Sequence, residues 1–235
     1  MHPRLSLALS WGLFAATIVV NALANILPIN GYNTGQGIWS LIYGWLLALL
    51  VYASVQRQPA ATAALQQGWS LFWLSCVLNA SWILAWHYLQ VALSLLMMLA
   101  LLTTLVALAL RWLPAARGAF RWAAFIPVVI YLGWICVATI ANTTALLVHY
   151  GWQGGALGAA GWSMCMMAIA TALASWLSWR LRVAAPVLVL AWALGGIYRG
   201  QQAAYPTVAT TALAAAAACM LVGAFIAWRR PLPAA

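Results

Sequence analysis

Gly68-Trp69-Ser70-Leu71-Phe72-Trp73-Leu74-Ser75-Cys76-Val77-Leu78-Asn79-Ala80-Ser81-Trp82-Ile83-Leu84-Ala85-Trp86-His87 runs its whole length without a formally charged side chain. A hydrocarbon core about 30 Å thick is crossed by roughly 20 helical residues, so this stretch reads as a transmembrane helix. Outward from it the same pattern repeats. Spans are predicted near 5 to 27, 37 to 55, 68 to 86, 89 to 113, 122 to 148, 157 to 179, 183 to 199 and 206 to 228, divided by Gly, Pro, Gln or Arg. The expected fold class is all-α, a polytopic transmembrane helix bundle of about eight spans, the seventh being the shortest.

Composition agrees with this. Of 235 residues 67% are hydrophobic and 4% charged, where a soluble domain carries roughly a quarter charged residues. The net charge of +10 comes from arginines alone, without Lys, Asp or Glu. They are scattered between apolar stretches and form no basic patch, which argues for membrane topology and against a nucleic-acid partner. In the eight-span reading Arg4, Arg57, Arg111, Arg117, Arg121, Arg180, Arg182, Arg229 and Arg230 share one side and Arg199 alone falls on the other. By the positive-inside rule both termini are expected in the cytoplasm, in a membrane of the bacterial inner type. Ala22-Leu23-Ala24 resembles a signal cleavage site, but the apolar run before it is longer than a signal peptide needs.

Without carboxylate side chains there is no acidic proton relay, no glycosidase-type acid pair and no Asp/Glu cation site, and without Lys there is no Schiff base. Cys76, Cys136, Cys165 and Cys219 stand singly in apolar segments, so no metal site is expected. Ser163 has no evident base partner, and the chain is read as a non-enzyme.

Helical spacing puts Asn79, Trp82 and Trp86 on one face of the third span, and Tyr131, Trp134, Ala138 and Asn142 on one face of the fifth. Asn in lipid needs a partner, supplied either by another helix or by a ligand. Trp39, Trp69, Trp86, Trp112, Trp122, Trp152, Trp179 and Trp228 lie near span ends, as an aromatic belt would, whereas Trp45, Trp73, Trp82, Trp134 and Trp192 lie mid-span, packing the bundle or lining a cavity. His87 and His149 each end a span on the Arg-poor side, suited to headgroup or backbone hydrogen bonds, or to haem iron. Gly154, Gly155, Gly158, Gly161 and the alanine run 214 to 218 read as surfaces for close helix approach, compatible with a homodimer.

Trp39-Ser40-Leu41-Ile42-Tyr43, Leu78-Asn79-Ala80-Ser81-Trp82, and Tyr131-Leu132-Gly133-Trp134 through Ala141-Asn142 resemble, in order and spacing, three helices of the tryptophan-rich sensory protein (translocator protein) family. Leu27-Pro28-Ile29-Asn30-Gly31 resembles the start of its longer members, with extra C-terminal helices. The resemblance implies a five-helix core over 1–152, a three-helix extension over 153–235, and a binding or sensory role for a flat hydrophobic ligand, a tetrapyrrole (porphyrin or haem) or a sterol-like molecule, with no obligatory cofactor. Trp39, Tyr43, Asn79, Trp82, Tyr131, Trp134 and Asn142 would line the cavity, with His87 and His149 near propionates or iron. The partners expected are the lipid bilayer and that small molecule. One departure from the family is that Thr34-Gly35-Gln36-Gly37 runs straight into Ile38-Trp39, leaving out most of the loop that covers the cavity. Transport of a hydrophobic solute and assembly of a membrane complex are the other functions compatible with the chain.

Overall fold

The computed structural model describes residues 3–26 and 37–229, and among these the chain is helical with no strand. Eight long helices follow in order: α1 (Pro3–Ile26), α2 (Gly37–Val55), α3 (Pro59–His87), α4 (Val91–Trp112), α5 (Gly118–His149), α6 (Gly158–Leu181), α7 (Ala185–Gln201) and α8 (Pro206–Arg229). All but α7 have both the length and the hydropathy to cross a membrane. At 17 residues, α7 reaches about 26 Å at 1.5 Å per residue, slightly short of a bilayer core. The chain is a multi-pass transmembrane bundle. Leu27-Pro28-Ile29-Asn30-Gly31 and the shortened stretch after Thr34 lie outside the described residues.

Two helix boundaries and one glycine-rich stretch depart from the sequence reading for identifiable reasons. Helix α3 begins at Pro59, nine residues before Gly68. Proline is favoured in the first turn, where its missing N–H is not needed, and Gln66-Gln67-Gly68 continues the helix instead of breaking it. Helix α5 begins at Gly118 and contains a π-helical turn over Arg121–Phe125. Pro127 follows that turn and offers no N–H to the carbonyl of Ala123, so the ladder widens, with the Ile126 N–H bonding to the Arg121 carbonyl. Gly154, Gly155 and Gly158, expected as packing surface, instead adopt φ of +90°, +56° and +64° in the turn between α5 and α6.

Packing divides the chain into two compact units, 1–132 and 133–233, with the division falling inside α5. In the first unit α3 packs against α1 and α4, and α2 packs against α1 and the π-helical turn. A polar stripe on α1, Ser6, Ser10, Thr17 and Asn21, is buried. Its Ser10 and Thr17 hydroxyls bond back to the carbonyls four residues earlier, at 2.8 Å in both cases. Three of its members also reach α3: the Thr17 hydroxyl donates to the Cys76 carbonyl at 3.1 Å, the Trp73 indole donates to Ser10 Oγ at 2.8 Å, and Asn21 meets Asn79. Where α3 meets α4, the fully buried Trp112 donates to the Ala64 carbonyl at 2.9 Å.

In the second unit α6, α7 and α8 pack together around Met167, Ala170, Ala174, Val187, Leu190, Leu194, Val208, Ala212 and Cys219. Ala215 and Ala216 pack against this core, while Ala214, Ala217 and Ala218 are exposed, so only part of the alanine run is a contact face. The α6–α7 turn is tied by the buried Ser178, whose Oγ accepts from the Val187 N–H at 3.2 Å.

Candidate functional site

In the first unit the central feature is a buried amide surrounded by aromatic rings. Asn79 on α3 is 1% exposed. Its Oδ1 accepts from Asn21 Nδ2 at 2.8 Å and from the Tyr43 hydroxyl at 3.1 Å, and its Nδ2 donates to the Tyr131 hydroxyl at 2.8 Å. One side chain thereby joins α1, α2, α3 and α5. A buried amide in hydrocarbon is tolerated when its donors and acceptor are engaged in this way.

Trp39, in the first turn of α2, lies within this cluster. Its ring stacks on Tyr43 at 5.5 Å between centroids and 22° between planes, and on Trp82 at 5.7 Å and 30°, while Tyr131 meets it edge-on at 6.2 Å. Trp39, Trp82 and Tyr131 are buried and Tyr43 is half-buried. Five of the residues expected to share a site, Trp39, Tyr43, Asn79, Trp82 and Tyr131, are therefore brought together, with Trp39 in contact with the other three rings. Asn21 was missed. The signal for it was present in the spacing of Ser6, Ser10, Thr17 and Asn21, which recur at helical intervals along one face of α1.

The other expected residues make contacts of their own. His87 is 2% exposed, with its ring Nδ1 donating to the Ile83 carbonyl at 2.9 Å. In the second unit, Trp134 packs edge-on against Trp192 at 6.0 Å, Asn142 is buried and donates from Nδ2 to the Ala138 carbonyl at 3.0 Å, and the exposed His149 stands edge-on to Tyr150.

The tryptophans also divide differently from their sequence positions. Trp39 and Trp112 lie near helix ends but are buried core residues, and Trp69, ten residues into α3, is buried too, whereas Trp122, Trp152, Trp179 and Trp228 are exposed as a belt requires. Arg121 and Arg229 lie over the rings of Trp122 and Trp228, at 5.2 and 4.3 Å from the centroids.

The second unit contains a cavity of about 620 Å³ that the sequence reading did not anticipate. It is bounded by one face each of α5, α6 and α7 and by the start of α8, and its walls are almost wholly aliphatic. Its volume lies in the range of small-molecule sites, about 300–1,000 Å³.

Residues 36–226 match the model of a family described as TSPO-like protein. The match takes in α2 to α7 and most of α8. No curated protein and no solved structure matches the chain.

Proposed function

Because the chain belongs to the TSPO-like protein family, we propose that it is a non-enzymatic binding or sensory protein of the membrane whose first unit accepts a flat hydrophobic ligand, a tetrapyrrole or a sterol-like molecule. The observation that carries this reading is the stacking of the planar indole of Trp39 on both Tyr43 and Trp82. Rings that stack one flat ring offer the same quadrupolar faces to another. Trp39 stands at the second position after Gly37, in the first turn of α2, where a change of rotamer disturbs the least helix. A ligand entering there displaces Trp39 and inherits its two stacking partners. Asn79 keeps the Tyr43 and Tyr131 hydroxyls oriented beside the rings.

The absence of Asp, Glu and Lys from the sequence supports binding over acid–base or covalent chemistry. The arginine distribution supports cytoplasmic termini and an inner-membrane location. In this reading residues 1–152 carry the ligand-binding core and 153–235 add three further helices.

The test is a titration of the purified chain in detergent with protoporphyrin and with haem, following Soret absorbance and Trp quenching. Saturable binding is expected, weakened about three- to tenfold in Trp82→Ala, the worth of one aromatic stack, and unchanged or tighter in Trp39→Ala. A Soret change lost in His87→Ala would add iron ligation. Absence of saturable binding by folded protein would sink the tetrapyrrole reading and leave solute transport or complex assembly in its place.

A further inference from the structure

The cavity of the second unit differs in kind from the aromatic cluster. Its walls run from Val137 to Val148 on α5, from Ala159 to Ala170 on α6 and from Leu190 to Gln201 on α7. Each stretch covers about 16 Å at 1.5 Å per residue, which is roughly half of a 30 Å hydrocarbon core. Chain direction sets its two ends: Val137, Met167, Ala170 and Leu190 lie at the deep end, while the end of α7 and the start of α8 bring Gln201 and Tyr205 to the mouth. The cavity is thus one leaflet deep.

Polarity is graded in the same direction. The wall hydroxyls are already engaged within their own helices, Thr144 donating to the Ile140 carbonyl at 3.1 Å and Ser163 to the Ala159 carbonyl at 2.9 Å. Along its length the wall offers hydrocarbon and the adaptable side chains of Met166 and Met167. Tyr205, at the mouth, is its one ring, so no stacking platform exists at depth. Among the described residues no arginine lines it. Arg199, two residues from Gln201, lies about 200° around α7 from it and so on another face.

We propose that this cavity is a second binding site, taking the single hydrocarbon chain of an uncharged amphiphile from one leaflet and holding its hydroxyl or carbonyl at Gln201 and Tyr205. A flat ring would find nothing to stack on inside, and an anionic head would find no cation at the mouth. A long-chain alcohol and a monoacylglycerol share the required chemistry. The site is independent of the tetrapyrrole reading, since no residue of the aromatic cluster belongs to it.

The full chain, reconstituted in phosphatidylcholine nanodiscs, is photolabelled with a monoacylglycerol bearing a diazirine at the end of its chain, and labelled positions are mapped by mass spectrometry. Labelling is expected at the deep end, around Val137, Met167 and Leu190, and should fall at least tenfold with excess unlabelled monooleoylglycerol but much less with oleate. Ala193→Phe fills the cavity and should reduce labelling to a similar extent; if it impairs folding, Ala145→Leu serves the same purpose. Gln201→Leu with Tyr205→Phe should weaken competition several-fold while leaving the labelled positions unchanged. Labelling spread over exposed side chains such as Ile169 and Trp176 without competition would mean bulk lipid contact and overturn the site. Equal competition by oleate would overturn the uncharged-head assignment, and cross-links between two copies through these residues would make the cavity a protein interface instead.

Discussion

The indole of Trp112 occupies the space that a side chain at position 68 would need: a Cβ built on Gly68 would come within 2.3 Å of its Nε1. Trp112 is fully buried, and that same Nε1 donates to the Ala64 carbonyl one turn earlier in α3. The ring can move only by giving up this bond and its edge-on contact with Trp69 at 6.4 Å. Gly68→Ala is therefore expected to lower stability by about 1–3 kcal/mol, the usual scale for overpacking. Thermal unfolding in detergent checks it, and Trp112→Leu should relieve the effect in the double variant. Melting of Gly68→Ala at the parent temperature would show that the ring swings aside freely.

Asn79 engages three partners on three helices. Interhelical hydrogen bonds in membranes average about 0.6 kcal/mol and reach roughly 1.7 kcal/mol, so Asn79→Leu should cost about 2–3 kcal/mol and Tyr131→Phe about 0.6 kcal/mol. A double-mutant cycle between Asn21→Leu and Asn79→Leu should show clear coupling in reversible unfolding in mixed micelles. Strict additivity would mean that the two amides do not meet.

Gly154 has φ of +90°, and a Cβ there would lie 2.2 Å from the backbone carbon and oxygen of Gly158. Gly154→Ala should cost about 2–4 kcal/mol, combining left-handed strain with a clash against backbone that cannot rotate away. Limited proteolysis should then cut between α5 and α6 faster than in the parent.

Leu89 presents the opposite case. It holds φ of +55° in the α3–α4 turn with half its surface exposed, while Gln90 N–H closes the helix end on the Ala85 carbonyl at 2.9 Å. Leu89→Gly should raise stability by about 0.5–1 kcal/mol by removing the left-handed penalty. A fall in melting temperature would indicate that the Leu89 side chain makes contacts worth more than the strain.

Hydrophobicity made the helix count legible, because a run such as Val91–Trp112 has no other use than crossing lipid. Part of the site was legible as well. Periodicity put Asn79 and Trp82 on one face, and they do share a cluster. Trp112 was misplaced because sequence position near a span end says nothing about which side of the helix meets another helix, and Trp69 because α3 begins at Pro59, well before it. The stripe on α1 was overlooked because Ser and Thr are common in membrane helices and bond to their own backbone. The cavity of the second unit could not be read at all. Alanine and leucine around it are the same residues that would fill a closed core, and only the distances between helices distinguish the two.

The bond between Asn21 and Asn79 spans 58 positions of sequence. As the chain is made, α1 leaves the ribosome with its buried amide side chain still lacking this partner, and α2 emerges before α3 does. Lateral release of α1 into lipid at that moment would expose Asn21 to hydrocarbon. Until the third span arrives, Asn21 has only the Thr17 carbonyl of its own helix, at 2.9 Å, to bond to, and the pairing of α1 with α3 completes its hydrogen bonding.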